Sequence, residues 1–347
     1  MKSLFEPESI AVVGASTDER KIGHIVLNNL IASGFKGKLY PINPKVPEIL
    51  GHKTYPSLTA IPGPLDQAII CVPNVAVPSI MEEAGAKKVG SVIVITAGFK
   101  ELGKEGANLE KRVAEIAKKY GIRLLGPNCM GIINAHHKMN ATFTNIHPSA
   151  GSIAISSQSG AVCSSMLDWS TRSRLGFSKF VSVGNKADID EADLLVYLKD
   201  DPLTKVIGMY IEGSNRGKEF MHQAYLASQS KPVIVLKSGR TNSGSKAASS
   251  HTGALSGSDK VYDAAFGQAN VIRVATIDEM FDLLQVFSNS PLPSGDGLAI
   301  VTNAGGHGVM AADACSDYGL SLASFEKETI EKLRANLPEA ANVYNPV

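Results

Sequence analysis

Short apolar runs alternate with longer amphipathic segments along most of this chain. In its first part, the apolar runs lie at 10–13, 38–42, 67–72, 91–95 and 122–125. Amphipathic segments separate several of these runs, at about 22–33, 78–87 and 107–120. Short apolar strands that alternate with amphipathic helices are typical of a parallel sheet that is covered on both faces. Residues 1–140 are therefore predicted to form an α/β domain with a Rossmann-like fold.

The alternation lapses at 138–150 and then begins again. The stretch at 138–150 is polar and is interpreted as a connection between domains. Beyond it, a second α/β domain over 141–290 is predicted by apolar runs at 152–155, 180–183, 206–211 and 232–236. A third series starts near residue 298, but too few residues follow it to complete a sheet. We therefore expect residues 291–347 to be the start of a third α/β domain that is truncated.

The composition narrows the classes of function. Hydrophobic residues make up 44% and charged residues 19% of the 347 positions, which is typical of a folded globular protein. A net charge of +1 provides no basic field for nucleic acid, and no apolar run is long enough to span a membrane, so neither is expected as a partner. The four cysteines have no C-x-x-C spacing and no accompanying histidine pattern. They are predicted to be reduced, mostly buried thiols in a cytoplasmic protein without a metal site.

The loops after the first apolar runs indicate a nucleotide-like ligand. In an open α/β sheet, ligands bind at the carboxyl ends of the strands, and here those ends carry small or rigid polar residues such as Gly14, Asn43 and Asn128. The loop GASTDE (14–19) lacks both later glycines of the G-x-G-x-x-G pattern for NAD. The second strand leads to Lys45 rather than to an acid for a ribose hydroxyl, and a lysine suits an extra phosphate better. A ligand other than NAD is favoured, although any one of these residues alone is equally consistent with an ordinary turn.

Three features of the second domain predict a site for a phosphoryl group. Ser157, Ser159 and Gly160 lie where an apolar strand leads into a helix, and the unpaired N–H groups of a helix start attract anions. An ordinary serine N-cap is the alternative. Glu212 ends another strand of the same predicted sheet, where a carboxylate can orient an imidazole or simply face solvent. His251 lies among serine, threonine and glycine; a lone histidine is more often structural, but such small neighbours would leave room for a phosphate.

Five stretches, taken together, match a known family. They are IAVVGAS (10–16), YPINPK (40–45), GPNC (126–129), SQSG (157–160) and SHTGA (250–254). On these stretches, essentially the whole chain resembles the nucleoside-diphosphate-forming acyl-CoA synthetases. The resemblance is to the CoA-binding or α portion of the ADP-forming acetyl-CoA synthetases, which is related to succinyl-CoA synthetase α.

The resemblance implies a fold and a set of site residues. The fold would be a Rossmann-like CoA-binding domain followed by flavodoxin-like domains of the succinyl-CoA synthetase type. Coenzyme A, with its thiol directed toward Asn128, would bind at Gly14, Ala15, Ser16, Lys21, Asn43, Lys45, Val72, Pro73, Thr96 and Asn128. His251 would be phosphorylated, and Glu212 would orient it. The phosphoryl group would be held by Ser157, Ser159, Gly160, Thr252 and Gly253.

The resemblance also implies a reaction and a partner. Acyl-CoA, phosphate and ADP would be converted reversibly to carboxylic acid, CoA and ATP, through an acyl phosphate and a phosphohistidine. The family binds ADP or ATP with Mg²⁺ on an ATP-grasp module, and no stretch of this sequence resembles one. The glycine-rich loop at 303–308 lacks the lysine of a phosphate-binding P-loop. We therefore expect an ATP-grasp β subunit or C-terminal domain as the partner, in a hetero- or homo-oligomer.

Two alternatives remain open from the sequence. One is a non-catalytic CoA-binding or regulatory module, like those in protein acyltransferase fusions that resemble this family. The presence of both His251 and Glu212 argues against it. The other is an NAD-dependent dehydrogenase, which the loop after Gly14 disfavours.

Overall fold

The first sheet is parallel and lies in the N-terminal part of the chain. The computed structural model describes residues 1–173, 175–241, 243–244 and 258–347. The strands of this sheet, with a small hairpin beside it, are β1 (Ser9–Val13), β2 (Lys38–Ile42), the hairpin strands β3 (Glu48–Ile49) and β4 (His52–Lys53), β5 (Gln67–Ile70), β6 (Ser91–Val94) and β7 (Arg123–Leu125). The helices of this part are α1 (Lys2–Phe5), α2 (Ile22–Ala32), α3 (Val77–Ala86) and α4 (Lys104–Tyr120).

The strand order of this sheet is Rossmann-like. The order is β2-β1-β5-β6-β7, and all of these pairs are parallel. Beyond β2, Tyr55 forms an isolated parallel bridge with Ile42, at the position of the third strand in the Rossmann order. The N–H of Tyr55 donates to the carbonyl of Pro41 at 2.9 Å, and its carbonyl accepts from Asn43 at 3.0 Å. The predicted Rossmann-like fold is confirmed, with its third strand reduced to one bridge.

The second sheet belongs to the same compact unit, Met1–Asn289. In the described part of the chain its strands are β8 (Gly131–Asn134), β9 (Met139–Thr142), β10 (Ala150–Ser157), β11 (Phe177–Ser182), β12 (Val206–Ile211), β13 (Val233–Lys237) and β14 (Ile272–Val274). The helices described here are α5 (Gly160–Ser173), α6 (Glu191–Leu198), α7 (Gly217–Ser228), α8 (Asp259–Gln268) and α9 (Ile277–Asn289). The order is β14-β13-β12-β10-β11-β8-β9. Its parallel strands follow the flavodoxin-like order 2-1-3-4-5, which confirms that prediction.

The polar stretch at 138–150 is a strand over part of its length, so its interpretation as a connection was wrong there. Strand β9 pairs antiparallel with β8, which pairs antiparallel with β11, so this hairpin extends the second sheet. All four residues of β9 are buried. The hydroxyl of Thr142 donates to Asn140 at 2.6 Å, and the Asn29 amide of α2 donates to the Thr142 carbonyl at 2.8 Å. Because hydrogen bonds satisfy these polar groups, the strand is buried without an apolar pattern.

Residues Ser290–Val347 form a separate compact unit. It contains the parallel strands β15 (Gly297–Leu298) and β16 (Ser321–Leu322), with α10 (Gly305–Asp317) between them and α11 (Lys327–Asn336) after them. This is a βαβ arrangement. That residues 291–347 begin a third, truncated domain, and that the first boundary lies at 140, stay predictions.

A buried ion pair connects β11 of the second sheet to the segment that precedes β12. Lys179 on β11 has no exposed side-chain surface, and its Nζ lies 3.0 Å from Asp201 Oδ2. The hydroxyl of Thr204 donates to the same carboxylate oxygen at 2.7 Å. Burial opposes the charge of Asp201, but the hydrogen bonds from Thr204 and Lys179 outweigh it and hold the pKa of Asp201 below its usual value. The carboxylate therefore neutralises a charge that β11 would otherwise bury alone.

Asp201→Ala should destabilise the protein by about 3–5 kcal/mol, because the Lys179 ammonium would remain buried without a counter-charge. The control Asp168→Ala removes the partner of Arg172 in an ion pair whose side chains are 58% and 79% exposed, and should cost less than about 1 kcal/mol. Unfolding in urea measures both losses. Since the pKa of Asp201 is lowered on folding, its contribution is present above about pH 4 and is lost in stronger acid, where wild type and variant should converge. Equal losses in the two variants at neutral pH would contradict the buried pair.

Candidate active site

A cavity of about 500 Å³ opens at the carboxyl edge of the first sheet. It lies beside β1 and β5, which are neighbours in the sheet although the chain leaves them toward opposite sides. Such a switch point is where open α/β sheets bind ligands. Most of the residues predicted to bind CoA line this cavity: Gly14, Ala15, Ser16, Lys21, Asn43, Lys45, Val72 and Pro73.

The remaining predicted residues of this set, Thr96 and Asn128, lie next to the cavity lining. The hydroxyl of Thr96 donates to the carbonyl of Val72 at 2.7 Å. The N–H of Asn128 donates to the carbonyl of Thr96 at 2.9 Å. Asn43 links the first two loops, because its Nδ2 donates to the Ala15 carbonyl and its Oδ1 accepts from the N–H of Lys45, both at 2.8 Å. Hydrogen bonds thus link the loops after β1 and β2 to each other, and the loops after β5, β6 and β7 to one another.

Gly23 is a structural requirement of this cavity that the sequence pattern did not reveal. A Cβ atom at Gly23 would lie 2.0 Å from the carbonyl oxygen of Gly14, so helix α2 rests directly on the loop after β1. Gly14 itself has φ of +89°, a conformation that favours glycine. In the NAD pattern the third glycine serves this close packing of helix on strand. Here the same contact is made by a glycine at a different spacing, which a search for G-x-G-x-x-G cannot find.

Part of the cavity lining was also missed. Ser57, Leu58, Ile80 and Glu83 line it without belonging to a strand end. They come from the segment after the Tyr55 bridge and from α3, and Glu83 accepts from the N–H of Leu58 at 3.2 Å. A rule based on strand ends does not reach them, and no local signal in the sequence marks them.

Asn185 joins the first carboxyl edge to the second. Its N–H donates to the carbonyl of Pro127 at 2.8 Å, and its Oδ1 accepts from Asn128 at 3.3 Å. Its Nδ2 donates to Glu101 and Glu110 at 2.7 and 2.8 Å. Burial disfavours the charge of Glu101, but hydrogen bonds from Asn185 and from backbone N–H groups outweigh it and lower the pKa of Glu101. The loop after β11 is thereby fixed against the loop after β7.

Ser157, Ser159 and Gly160 lie at the switch point of the second sheet, where β10 and β12 are neighbours. The hydroxyl of Ser159 accepts from the N–H of Val162 at 3.3 Å, so Ser159 is the N-cap of α5. The Ser157 hydroxyl accepts from the N–H of Ser159 at 3.1 Å. Gly160 begins the helix, and the position of a Cβ atom there is open. The serine cap and a helix start that can attract an anion are therefore compatible.

Glu212 follows β12 directly and does not face solvent, since it is only 8% exposed. Its carboxylate lies beside the Tyr210 side chain. Burial raises the pKa of Tyr210, and a hydrogen bond with Ser238 lowers it. The charge of Glu212 and its hydrogen bond with Tyr210 raise that pKa further. The first turn of α5 and Glu212 therefore share the carboxyl edge of one sheet.

His251, Thr252 and Gly253 lie outside the described residues. The segment that contains them follows β13, whose last residue Lys237 is in register with Ile211 at the end of β12. Strand β13 thus ends at the same sheet edge as the strand that precedes Glu212.

Metal-binding and cysteine-based sites have no support in the described part of the chain. Among the residues that the structure describes, no group of three or more His, Cys, Asp or Glu side chains is placed to hold a metal ion. Burial raises the pKa of Cys129 and of Cys163 to about 12, so both are protonated thiols and poor nucleophiles at neutral pH. Over the same described ranges, no helix is both long and apolar enough to cross a bilayer.

Comparison with known proteins decides the family. A family model described as CoA binding domain matches residues 8–135, and one described as succinyl-CoA ligase like flavodoxin domain matches residues 150–287. An ADP-forming acetate–CoA ligase II subunit alpha from Pyrococcus furiosus is 49% identical over 344 residues, which are 99% of this chain and 75% of the relative. The chain belongs to the ADP-forming acetate–CoA ligase family.

Other members of the ADP-forming acetate–CoA ligase family agree in sequence and in structure. A ligase from Methanocaldococcus jannaschii is 50% identical over 347 residues, all of this chain but only 49% of the relative. This chain therefore spans about half the length of that relative. A dinucleotide-forming acetyl-coenzyme A synthetase 1 of Candidatus Korarchaeum cryptofilum, solved in complex with phosphate and ADP, superposes with a TM-score of 0.92 at 40% identity. The match covers 100% of this chain and 75% of that one.

Gly23→Ala should destabilise the protein by about 1–3 kcal/mol, because the added methyl group would collide with the backbone of Gly14. The control Gly217→Ala places a methyl group in open space in the first turn of α7 and should be neutral or slightly stabilising. Unfolding in urea compares the two variants. If Gly23→Ala were as stable as Gly217→Ala, α2 would not rest on the loop after β1 as described.

Proposed function

We propose that this chain is the CoA-binding and phosphohistidine-carrying portion of an ADP-forming acyl-CoA synthetase. The observation that carries the proposal is that two ligand-binding edges are joined inside one unit. The cavity beside β1 and β5 connects through Thr96, Asn128 and Asn185 to the edge that carries Glu212 and the start of α5. Family membership supports the same reading, since relatives are named acetate–CoA ligases.

Coenzyme A is proposed to occupy the cavity of the first sheet. Gly14 and Ser16 line the cavity and are proposed to contact the phosphates. The exposed ammonium groups of Lys21 and Lys45 supply positive charge at the rim. The pantetheine arm then runs past Val72 and Thr96 toward Asn128. This path brings the thioester toward the second edge, where the phosphoryl chemistry takes place.

The proposed reaction proceeds in two covalent steps on this chain. A phosphate oxygen attacks the thioester carbonyl, the C–S bond breaks, and CoA leaves as an acyl phosphate forms. The imidazole of His251 then attacks phosphorus, and the carboxylic acid leaves as its carboxylate. Glu212 accepts a hydrogen bond from the other ring nitrogen, orients the imidazole and stabilises its cationic phosphorylated form. The start of α5, with Ser157, Ser159 and Gly160, holds the phosphoryl oxygens. Thr252 and Gly253 are proposed to belong to the same phosphate-binding set.

The cycle is completed on a partner. An oxygen of ADP attacks phosphorus of the phosphohistidine, which gives ATP and frees His251. ADP and Mg²⁺ are proposed to be bound by an ATP-grasp module, as a β subunit or as a C-terminal domain. The α-subunit naming of the P. furiosus relative supports a separate partner chain. We place the reaction in the cytoplasm, where CoA and nucleotides are available and the four free cysteines would stay reduced.

The non-catalytic alternative has less support. A regulatory module would need the CoA cavity but not a buried carboxylate beside a helix start. Glu212 is buried at that position, and the relatives are named as ligases. Acetate is accordingly the first acid to assay, and a panel of acyl-CoA substrates would define the specificity.

Lys45→Met should weaken CoA binding about tenfold or more, because it removes a charge-assisted contact with a phosphate. The control Lys36→Met changes an exposed lysine that precedes β2, at the opposite edge of the sheet, and should leave the Kd unchanged. Calorimetric titration with CoA and with NAD⁺ measures both and should detect only CoA. The effect should shrink for dephospho-CoA if Lys45 contacts the extra phosphate. Tight NAD⁺ binding without CoA binding would overturn the proposal.

His251→Ala should abolish labelling by ³²P-acetyl phosphate, and Glu212→Gln should slow it about 10- to 100-fold. The label on wild type should be lost in acid and retained in base, as a phosphohistidine is. The control His222→Ala changes an exposed histidine of α7 and should be labelled like wild type. With the partner subunit, acetyl-CoA, phosphate and ADP, the same variants should rank identically in ATP formation. Full labelling of His251→Ala would refute the assignment.

A further inference from the structure

The turn that carries Glu212 is fixed by a side chain from the neighbouring strand connection. Gln158 lies in the loop between β10 and α5, and its Oε1 accepts from the N–H groups of Glu212 and Gly213 at 2.8 and 3.2 Å. Its Nε2 donates to the carbonyl of Gly213 at 2.7 Å. The amide of Gln158 therefore binds both N–H donors and the carbonyl acceptor of this turn.

The ion pair of Lys186 and Glu191 contacts the same turn, and Lys186 comes from the loop after β11. Nζ of Lys186 donates to the carbonyl of Gly213 at 2.6 Å and to both oxygens of Glu191 at 3.1 and 3.2 Å. Nε2 of Gln158 donates to Glu191 at 2.5 Å. The side chains of Lys186 and Glu191 are 10% and 2% exposed. Lys186 also has φ of +58°, an uncommon backbone conformation for a lysine.

A third contact comes from α8. The hydroxyl of Tyr262 accepts from the N–H of Ser214 at 3.1 Å, and Nζ of Lys237 lies 4.6 Å from the centre of the Tyr262 ring. The N–H groups of three successive residues, 212 to 214, are thus bound by side chains from two separate elements. A surface turn normally leaves such groups to water.

These contacts are better explained by geometry than by stability. A buried Lys–Glu pair gains little net free energy, because desolvation of both charges offsets their attraction. Lys186 has an uncommon backbone conformation, and the carbonyl of Gly213 accepts hydrogen bonds from both Lys186 and Gln158. These contacts restrict the turn to one conformation. A hydrogen-bonded carboxylate can orient an imidazole only if its own position is fixed.

We propose that Gln158 and Lys186 are positioning residues that hold Glu212 in the orientation required for phosphorylation of His251. This inference rests on the proposed function and extends it, because both side chains contact the backbone of the turn that carries Glu212. The Glu191 carboxylate keeps the Lys186 ammonium neutralised and directed at Gly213. Loss of either positioning residue should therefore slow phosphorylation by displacing Glu212.

A double-mutant cycle on the full chain tests this route of action. The rate of labelling by ³²P-acetyl phosphate is measured for wild type, Gln158→Met, Glu212→Gln and the double variant. Gln158→Met should slow labelling about 10- to 100-fold, and the double variant should be no slower than Glu212→Gln alone. The matched control Gln229→Met changes an exposed glutamine directly after α7 and should be labelled at the wild-type rate. A general structural role predicts instead that the two losses multiply.

Companion measurements separate the outcomes. CoA affinity should be unchanged in Gln158→Met, since neither Gln158 nor the turn at 212–214 lines the cavity of the first sheet. If Gln158→Met does not fold, Lys186→Met and Lys186→Arg replace it, and the arginine, which keeps the charge, should recover part of the rate. Wild-type rates in the Gln158 and Lys186 variants, or multiplied losses, overturn this inference alone. A wild-type chain that takes no label overturns the proposed function together with the inference.

Discussion

The hydrogen bonds of the buried Asn185 side chain are the interaction on which the spacing of the two candidate ligand-binding edges depends. Asn185 follows a strand of the second sheet, yet the partners of its side chain belong to the first domain: Asn128 and Glu101 come from connections after strands, and Glu110 comes from α4. Burying an amide without hydrogen-bond partners costs more free energy than the hydrogen bonds contribute when they are made. The Asn185 amide therefore tolerates few alternative arrangements of the groups around it. The next residue, Lys186, donates to the carbonyl of Gly213 in the turn that carries Glu212. One short segment therefore sets both the distance between the edges and the shape of the second.

Much of the fold could be predicted because the hydrophobic pattern along the chain indicates its strands and helices. Apolar runs and amphipathic helices predict a doubly covered parallel sheet wherever they alternate, and both sheets were found. Strand β9 was missed because its polar residues Asn140 and Thr142 are buried and satisfied by hydrogen bonds. The Tyr55 bridge was missed because a single residue pair has no period. A strand whose polar residues are buried because they are hydrogen-bonded cannot be recognised from the pattern of apolar positions.

The candidate site was predictable to the extent that it lies at strand ends. Loops after β1, β2 and β5 were named from the sequence and do surround the cavity, whereas Glu83 from α3 was not. Gln158 lay inside a recognised stretch, but its function depends on a turn 54 residues away in sequence. Asn185 likewise acts on groups 75 and 84 residues distant. Only the folded chain brings such residues together, and that is why residue types alone could not assign them a role.

The hairpin of β8 and β9 has a consequence for how the molecule can move. It is the covalent passage from the first sheet to the second, but it is also part of the second sheet and is bound by α2 through the amide of Asn29. Hinged enzymes join their domains by linkers with few contacts, so that a cleft can open and close. A passage that is itself core has no such freedom. We therefore expect the two sheets to keep their relative position, so that any opening or closing motion in this part of the chain would fall to loops and side chains.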